Sequence, residues 1–421
     1  MKLSLALLVG KLVRQVVKLR GGGSAYPGRI ALLIEPLLLE KTLGSFPMGV
    51  VLVSGSNGKS TTTSLTVAAL ESQGLKVFSN SSGSNMPRGI GSAIVNSSAL
   101  SGKITADIAV IEVDEGYAKQ IAKQLVPKWF VLTNVQIDQL NRFYEPDRVF
   151  EMLLDAARFA TEGVVINGTD ANLIELASRL ERVPVFQIDA SKEALSSWPK
   201  GALAAPIFGV TSNHDPIPVI ATIKNESEGV ARLEVSGQNI TVQMPGKGLH
   251  FAIATALAIA AASKLSPSSF ELSRATKAIE AQPTVYGRGE LTSYKGTSFK
   301  IMMMKNPPSM QANLVAMGKT ECNIWIAVDE GTPDTSWIYD IDFSGISAVE
   351  VVSGSMAWHV ALKLGYAGIA VRSVTPDSKT ALQSYVAYLS TSGKEGILLS
   401  NYEQMMFVRK QIGLHDLEGG R

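Results

Sequence analysis

The spacing of apolar and polar positions changes several times along the chain, and the changes divide it. Four short runs, "GVVLVSG" (49–55), "ADIAVIEVD" (106–114), "KWFVLTN" (128–134) and "GVVINGT" (163–169), are apolar with few polar breaks. Runs of that length and β-branched content predict strands buried on both faces. Between them, apolar residues recur at helical spacing over 60–73, up to about 124, and over 147–161, and a further short strand is expected near 75–79. Such alternation predicts an α/β fold, a parallel sheet covered by helices on both faces, with ligands gathering at the carboxyl ends of its strands.

From about 200 to 246 the texture shifts to short alternating strands with turn signals, "PVIATIKNESEGVARLEVSGQNITVQMPG", which predicts an antiparallel rim. Two helices, 251–264 and 268–281, close this first region. "QPTVYGRGE" (282–290) reads as a hinge into a second, smaller α/β unit with strands near 298–304, 323–329, 348–353 and 396–400. The expected organisation is therefore a helical leader (1–45), a central unit (46–284) and a C-terminal unit (285–421).

The leader begins "MKLSLALLVGKLVRQVVKLRGGG". Its first ten residues imitate a signal peptide, but Lys11, Arg14, Lys18 and Arg20 follow at helical spacing in place of a small-residue cleavage site, which predicts an amphipathic helix. Its apolar stripe (Leu5, Leu8, Val9, Leu12, Val16) is expected to pack on its own protein, with peripheral contact at a membrane surface as the alternative. A proline-bounded segment, 27–47, carries another leucine-rich helix, and no stretch is long enough to span a bilayer.

With 421 residues, 46% hydrophobic and 18% charged, the chain suits a globular multi-unit enzyme. Its 39 basic and 37 acidic residues nearly balance, so no global field selects nucleic acid. The single cysteine, Cys322, excludes an internal disulfide and a cysteine-cluster zinc site, fits a reducing, cytoplasmic setting, and is expected to be a small buried residue. The four histidines (His214, His250, His359, His415) are not paired at ligand spacing, and zinc is not expected.

One stretch carries chemistry. In "VLVSGSNGKSTTT" (51–63), Gly55 and Gly58 stand where a strand turns into a helix, so backbone N–H groups and the helix N-terminus face an anion. Ser56, Asn57, Gly58 and Thr61 would form the cradle, Lys59 would reach the β- and γ-phosphates of ATP, and Ser60 would hold magnesium. The first glycine of the usual eight-residue pattern is missing, because position 53 is valine. "VIEVDEG" ends a strand in Glu112, Asp114 and Glu115, of which Glu112 is the favoured additional magnesium ligand. "LTNVQIDQLNRFYEPD" brings Asn134 and Asp138 to another strand end.

These residues resemble the Mur ligases, whose loop reads G-T-N-G-K-[ST], and more narrowly the MurT-like synthetase subunits of lipid II isoglutaminyl synthase. The narrower resemblance rests on "KLVRQVVKLRGGGSAYPGRIALLIEP", "SNSSGSNMPRGIGSAI" (79–94), "IEVDE", "LTNVQIDQLNRFYE", "YGRGE", "KNPPSMQANL" and "DTSWIYDIDF", together spanning about 11 to 343. It implies that Lys59 and Ser60 handle phosphates and magnesium and that Glu112 is a metal ligand. Asn134 and Asp138 would lie beside that site, with Gln139 where other Mur ligases place histidine. It further implies that Arg288 reaches ATP from the hinge and that Lys305 and Asn306 complete the nucleotide site. Asp334, or alternatively Asp340, would orient the histidine of a GatD-like glutaminase partner. The implied reaction is ATP-dependent amidation of the D-glutamate α-carboxylate of the lipid II stem peptide, or a related muropeptide, through an acyl phosphate that ammonia displaces. The alternatives are a Mur or folylpolyglutamate-type ligase that joins an amino acid directly, and a nucleotide-binding subunit without catalysis. The chain departs from the family in two places. The four-cysteine zinc ribbon common in MurT is absent, and "GKGLHFAIATALA" offers Phe251 and Ala254 where family asparagines would face the nucleotide. His250 beside them is expected to be a pocket or core residue.

Overall fold

The computed structural model describes residues 1–19, 25–80, 84–136, 138, 146–196, 207, 208, 215–266, 268, 270–283, 288–304, 306–317, 323–330 and 336–414. Three helices lead, α1 (Lys2–Leu19), α2 (Tyr26–Ile34) and α3 (Leu38–Leu43). The expected single helix over 27–47 is two, because Pro36 has no N–H to donate and forces Glu35 into an extended conformation (φ −129°, ψ 92°).

Strand and helix then alternate: β1 (Val50–Ser54), α4 (Lys59–Glu71), β2 (Val77–Ser79), α5 (Pro87–Ser97), β3 (Ile108–Glu112), α6 (Glu115–Leu125), β4 (Trp129–Leu132), α7 (Pro146–Ala157), β5 (Gly163–Asn167), α8 (Ala171–Ser178), β6 (Val185–Ala190) and α9 (Lys192–Ser196). A meander, β7 (Val219–Ser227), β8 (Val230–Val235) and β9 (Gln238–Gln243), precedes α10 (Leu249–Leu265) and α11 (Leu272–Glu280). The nine strands form one sheet in the order β2-β3-β1-β4-β5-β6-β7-β8-β9. Pairing is parallel as far as β7, whereas β7–β8 and β8–β9 are antiparallel. The alternating segment is thus a continuation of the main sheet.

Strands β1, β3, β4 and β5 are buried along their whole length, as their unbroken apolar runs require. Alternate residues serve opposite layers. Leu52, Ile111, Leu132 and Ile166 pack against the face that includes α6 and α7, while Val53, Val110, Val131 and Val165 pack against α4 and α10. Helix α10, apolar all round, is the central element of that second layer.

The second unit holds β10 (Arg288–Tyr294), β11 (Thr297–Met303), α12 (Pro307–Met317), β12 (Asn323–Ala327), a 3-10 helix (Ser336–Asp340), β13 (Ala348–Ser353), α13 (Ala357–Tyr366), β14 (Ala370–Val374), α14 (Ser378–Ser392), β15 (Gly396–Ser400) and α15 (Tyr402–Gln411). Its six-stranded sheet runs β10-β11-β15-β12-β13-β14, parallel except for the antiparallel edge pair β10–β11. Strand β10 occupies the end of the segment read as a hinge.

Helix α1 corrects an expectation. Leu5, Leu8, Leu12 and Val16 of its apolar stripe are 52%, 44%, 58% and 51% exposed, and the face turned to the protein carries Ala6, Leu7 and Gly10. Small residues there let α1 settle closely: a Cβ on Gly10 would lie 2.8 Å from Val95 of α5. The sequence has apolar residues on both faces, so periodicity alone could not tell the inner stripe from the outer.

Candidate nucleotide site

The turn between β1 and α4 is shaped by its neighbour, the loop after β4. Gly55 has φ +131°, and a Cβ there would lie 2.3 Å from Thr133 Oγ1 and within 3 Å of the Asn134 backbone, so only glycine fits. Ser56 N donates to Asn134 O (3.0 Å) and Asn57 N to Asn134 Oδ1 (2.8 Å), while Asn134 Nδ2 donates to Asn57 O (3.0 Å). Gln136 adds its N–H to Ser56 Oγ (3.0 Å) and accepts from Asn57 Nδ2 (2.7 Å). Asn134 and Gln136 therefore fix the turn, and Gly58 (φ +83°) caps α4. The first intrahelical donor is Thr62 N, to Gly58 O (2.9 Å), which leaves the amides of Gly58, Lys59, Ser60 and Thr61 outside the helical ladder at its positive end.

Lys59 lies under this turn. Its ammonium donates to Gly55 O (2.5 Å), Ser56 O (3.2 Å) and Glu115 Oε1 (2.8 Å), and both members of the ion pair are buried. Burial alone would lower the lysine's pKa, but the Glu115, Asp138 and Glu112 carboxylates around it hold it above its ordinary value. The strand end with three carboxylates thus divides its labour. Glu115, in the first turn of α6, holds Lys59. Asp114 caps α6 by accepting from Gly116 N (3.1 Å), and Glu112, paired in register with Val53, accepts from Asn85 Nδ2 (3.1 Å). The Glu115 contact was not anticipated, since three adjacent carboxylates are indistinguishable until the register of β3 and the start of α6 are known.

Hard oxygen donors (Ser60, Glu112) beside a phosphate-binding turn suit magnesium, which needs only one or two carboxylates and takes phosphate oxygens and waters for the rest. Among the described residues, no group of three or more His, Cys, Asp and Glu side chains is arranged to hold a metal ion.

In front of the turn lies a cavity of about 390 Å³, walled by Asn57, Gly58, Thr61 and Asn134 on one side and by His250, Phe251 and Ala254 of α10 on another. Pro308, Ala312 and Asn313 of α12 close it from the second unit. Asn306 makes that approach specific: its side chain caps α12 by accepting from Ser309 N (2.9 Å) and donates Nδ2 to Asn57 Oδ1 (3.1 Å). The loops that follow the carboxyl ends of β1 and β11 are thereby joined. Phe251 and Ala254 stand in the cavity wall as small or flat apolar surface, and half-buried His250 packs against Phe251 with ring centroids 4.7 Å apart.

Sequence reasoning missed the wall formed by the β5–α8 turn: Asn167, Thr169, Asp170 and Asn172. Asp170 accepts from Val135 N (2.8 Å), Asn172 N (2.9 Å) and Leu173 N (3.3 Å), and burial pushes its pKa up to about 6 against the pull of these donors. The signal was present in "INGTDAN", a polar turn at the carboxyl end of a buried strand, where parallel α/β sheets place ligands.

Of the remaining expected site residues, Asp138 is buried close enough to act on Lys59. Asp340 is exposed at the end of the 3-10 helix, away from the lining of the cavity. Lys305 and Asp334 lie outside the described residues, as do Cys322, Gln139 and the side chain of Arg288.

A strand–glycine–lysine turn at the centre of a parallel sheet, with a second α/β unit leaning on that turn, is the architecture of the Mur-type ligases. At 15% identity, the fold superposes on MurF from Acinetobacter baumannii with a TM-score of 0.69, covering 92% of this chain and 80% of that one. It also superposes on Mycobacterium tuberculosis folylpolyglutamate synthase, solved with ADP and AMPPCP, with a TM-score of 0.64, 15% identity and coverage of 97% and 98%. Residues 53–262 match the Mur ligase middle domain and residues 303–405 the MurT ligase C-terminal domain. The chain belongs to the Mur ligase family as a MurT-like member. Among its curated relatives are the lipid II isoglutaminyl synthase (glutamine-hydrolyzing) subunits MurT of Streptococcus pneumoniae (strain ATCC BAA-255 / R6) and Staphylococcus aureus (strain COL). The first is 26% identical, with 98% of this chain and 97% of the relative aligned, and the second 25% identical, with 99% of each.

Proposed function

We propose that this ligase is the synthetase subunit of a glutamine-dependent amidotransferase acting on a lipid-linked peptidoglycan precursor. The glycine–lysine turn at the N-terminus of α4, with Asn57, Gly58 and Thr61 on a cavity that α12 of the second unit also walls and with Lys59 held beneath by Glu115, is the observation that carries the reading. A carboxylate resists ammonia because its carbon is electron-rich and oxide does not leave. Transfer of the γ-phosphoryl group of ATP to a carboxylate oxygen forms an acyl phosphate, and ammonia attacks the carbonyl carbon and expels inorganic phosphate. The acceptor, following the relatives' names, is lipid II, at its D-glutamate α-carboxylate. The amides of Gly58 to Thr61 receive phosphate oxygens, and Lys59 turns from Glu115 toward the β- and γ-phosphates. Ser60 and Glu112 hold magnesium, which when bound offsets phosphate charge. Arg288 and Lys305 add cationic contacts, and closure of the second unit about 282–290 excludes water.

Ammonia comes from a GatD-like glutaminase, whose histidine Asp334 orients, with Asp340 as the alternative. The flank bearing Asp340 also carries Trp358, Leu362 and Tyr366, exposed at four-residue spacing along α13, and Lys363 of that helix donates to Tyr339 O (2.7 Å). Aromatic surface of this kind is commonly covered by a protein partner. A lipid-linked acceptor brings the chain to the inner face of the membrane, which none of its described helices is long and apolar enough to cross.

The test is ATP hydrolysis and product mass with lipid II, glutamine and a co-expressed glutaminase, each omitted in turn. Hydrolysis that requires all three and adds one amide supports the proposal. Turnover with a free amino acid and no glutaminase would instead establish direct ligation, and nucleotide binding without turnover would establish a non-catalytic subunit.

A further inference from the structure

Helix α1 presents a surface that the nucleotide site does not use. Met1, Leu5, Leu8, Leu12 and Val16 lie within about a third of a turn of one another on a helical wheel, and all five are exposed. Cations flank the stripe: Lys2 is exposed on one border and Lys11 half-buried on the other, with Arg14 half-buried farther round the helix. No acidic residue occurs before Glu35, and that carboxylate is buried and bonded to Lys41 (2.5 Å). The stripe on α13 differs: it is aromatic, and its one lysine is engaged by the neighbouring 3-10 helix. An apolar face bordered by lysines and carrying no carboxylate of its own, with Glu35 near Lys2 but already paired with Lys41, suits the boundary between anionic headgroups and acyl chains, because lysines reach headgroup phosphates while leucines bury below them.

We propose that the outer face of α1 is a membrane-docking surface that lies in the plane of an anionic bilayer, with Leu5, Leu8, Leu12 and Val16 inserted at the acyl boundary and Lys2 and Lys11 on headgroup phosphates. The rest of the fold is held to this helix through Ala6, Leu7 and Gly10 against α2 and α5. The inference rests on the helix itself and not on the reaction proposed above.

The test is flotation of the full chain with vesicles of phosphatidylcholine alone or with about 30% phosphatidylglycerol, the anionic lipid whose surface charge attracts basic segments. Wild type is expected to float with the anionic vesicles and to detach as salt is raised. Leu8→Glu combined with Leu12→Glu is expected to weaken binding roughly tenfold or more, while the exposed positions leave thermal stability and ATP affinity unchanged. Lys2→Glu with Lys11→Glu should abolish the preference for anionic lipid. Absence of binding to either vesicle, or binding by the double-leucine variant equal to wild type, would overturn the proposal. So would light scattering that finds a dimer broken by Leu8→Glu with Leu12→Glu and no vesicle binding, since the stripe would then belong to a second copy. Loss of ATP binding alone would bear on the nucleotide site and leave this inference standing.

Discussion

The two sheets end differently at their carboxyl edges, although both are parallel α/β layers with a glycine at a strand terminus. In the second sheet several groups at that edge bond one another, although Ser400 Oγ and Gln404 Oε1 are buried without a partner. Asp329 accepts from Ser355 N (2.8 Å) and Gln404 Nε2 (2.6 Å), Asn401 Nδ2 donates to Asp329 O (2.9 Å), and Glu330 N donates to Ser355 Oγ (2.9 Å). In the first sheet the corresponding edge opens on a cavity of about 390 Å³, with helix-terminal amides outside the helical ladder and a buried lysine paired with a carboxylate. Topology therefore offers a ligand-binding edge twice, and of the two only the first opens on the cavity described. The second unit serves the first: it contributes Pro308, Ser309, Ala312 and Asn313 of α12 to the shared cavity and bonds Asn57 through Asn306.

The sharpest break of this contrast is Lys59→Ala. If Lys59 meets the phosphates as proposed, removing its charge should lower ATP turnover by about two to four orders of magnitude, measured as phosphate release, while a thermal melt checks that the fold persists without the Lys59–Glu115 pair. A matched glycine pair comes next. Gly55→Ala and Gly354→Ala each force a Cβ into backbone or neighbouring atoms, since Gly354 has φ +93° and its Cβ would lie 2.1 Å from Val328 O. Both should cost about 1–3 kcal/mol of stability in urea unfolding. Nucleotide affinity by calorimetry should collapse only for Gly55→Ala, and equal loss from both would erase the distinction between the edges.

Asp170 gives a pH signature to the open edge. Its folded pKa of about 6 lies above the ordinary 3.8, so the folded state holds the proton more tightly. The contribution is fully present below about pH 4 and is lost as pH rises through 6, by roughly 2–3 kcal/mol at most. Urea melts at intervals across that window should show wild-type stability falling with pH relative to Asp170→Asn, which keeps a capping oxygen without the charge. An unchanged slope in the variant would remove Asp170 as its source. The smallest effect is expected from Asn306→Ala, which loses the α12 cap and the bond to Asn57 for about 1 kcal/mol. The Michaelis constant for ATP should rise several-fold, with little change in turnover at saturation.

Much of the fold was legible in the chain because its central strands are unbroken apolar runs of the length a doubly covered parallel sheet needs. Ambiguous patterns conceal other elements. Strands β6 and β14 went unrecognised: β6 is mostly half-buried, and β14 (AVRSV) is a partly exposed edge strand with an arginine, so neither carries a clear alternation. Strand β10 begins inside a glycine-bearing segment that resembled a hinge. In the site, "GSNGKS" announced the phosphate turn because each residue type there has one mechanical use. The roles of Glu115, Asn134 and Gln136 depend on which oxygen faces which donor across about 60 to 80 residues of chain, and no local pattern encodes that.

The order of residues by itself determined that a parallel sheet would form and that its first turn would face an anion, since hydrophobic periodicity and glycine-permitted dihedrals are local properties. Tertiary structure alone decided which carboxylate pairs with Lys59, that Asn306 reaches Asn57, and that Asp329, Asn401 and Gln404 bond one another at the second sheet's edge. It also decided which apolar stripe of α1 turns outward. These are contacts between segments distant in sequence, and they depend on register, helix rotation and the docking of one unit on the other.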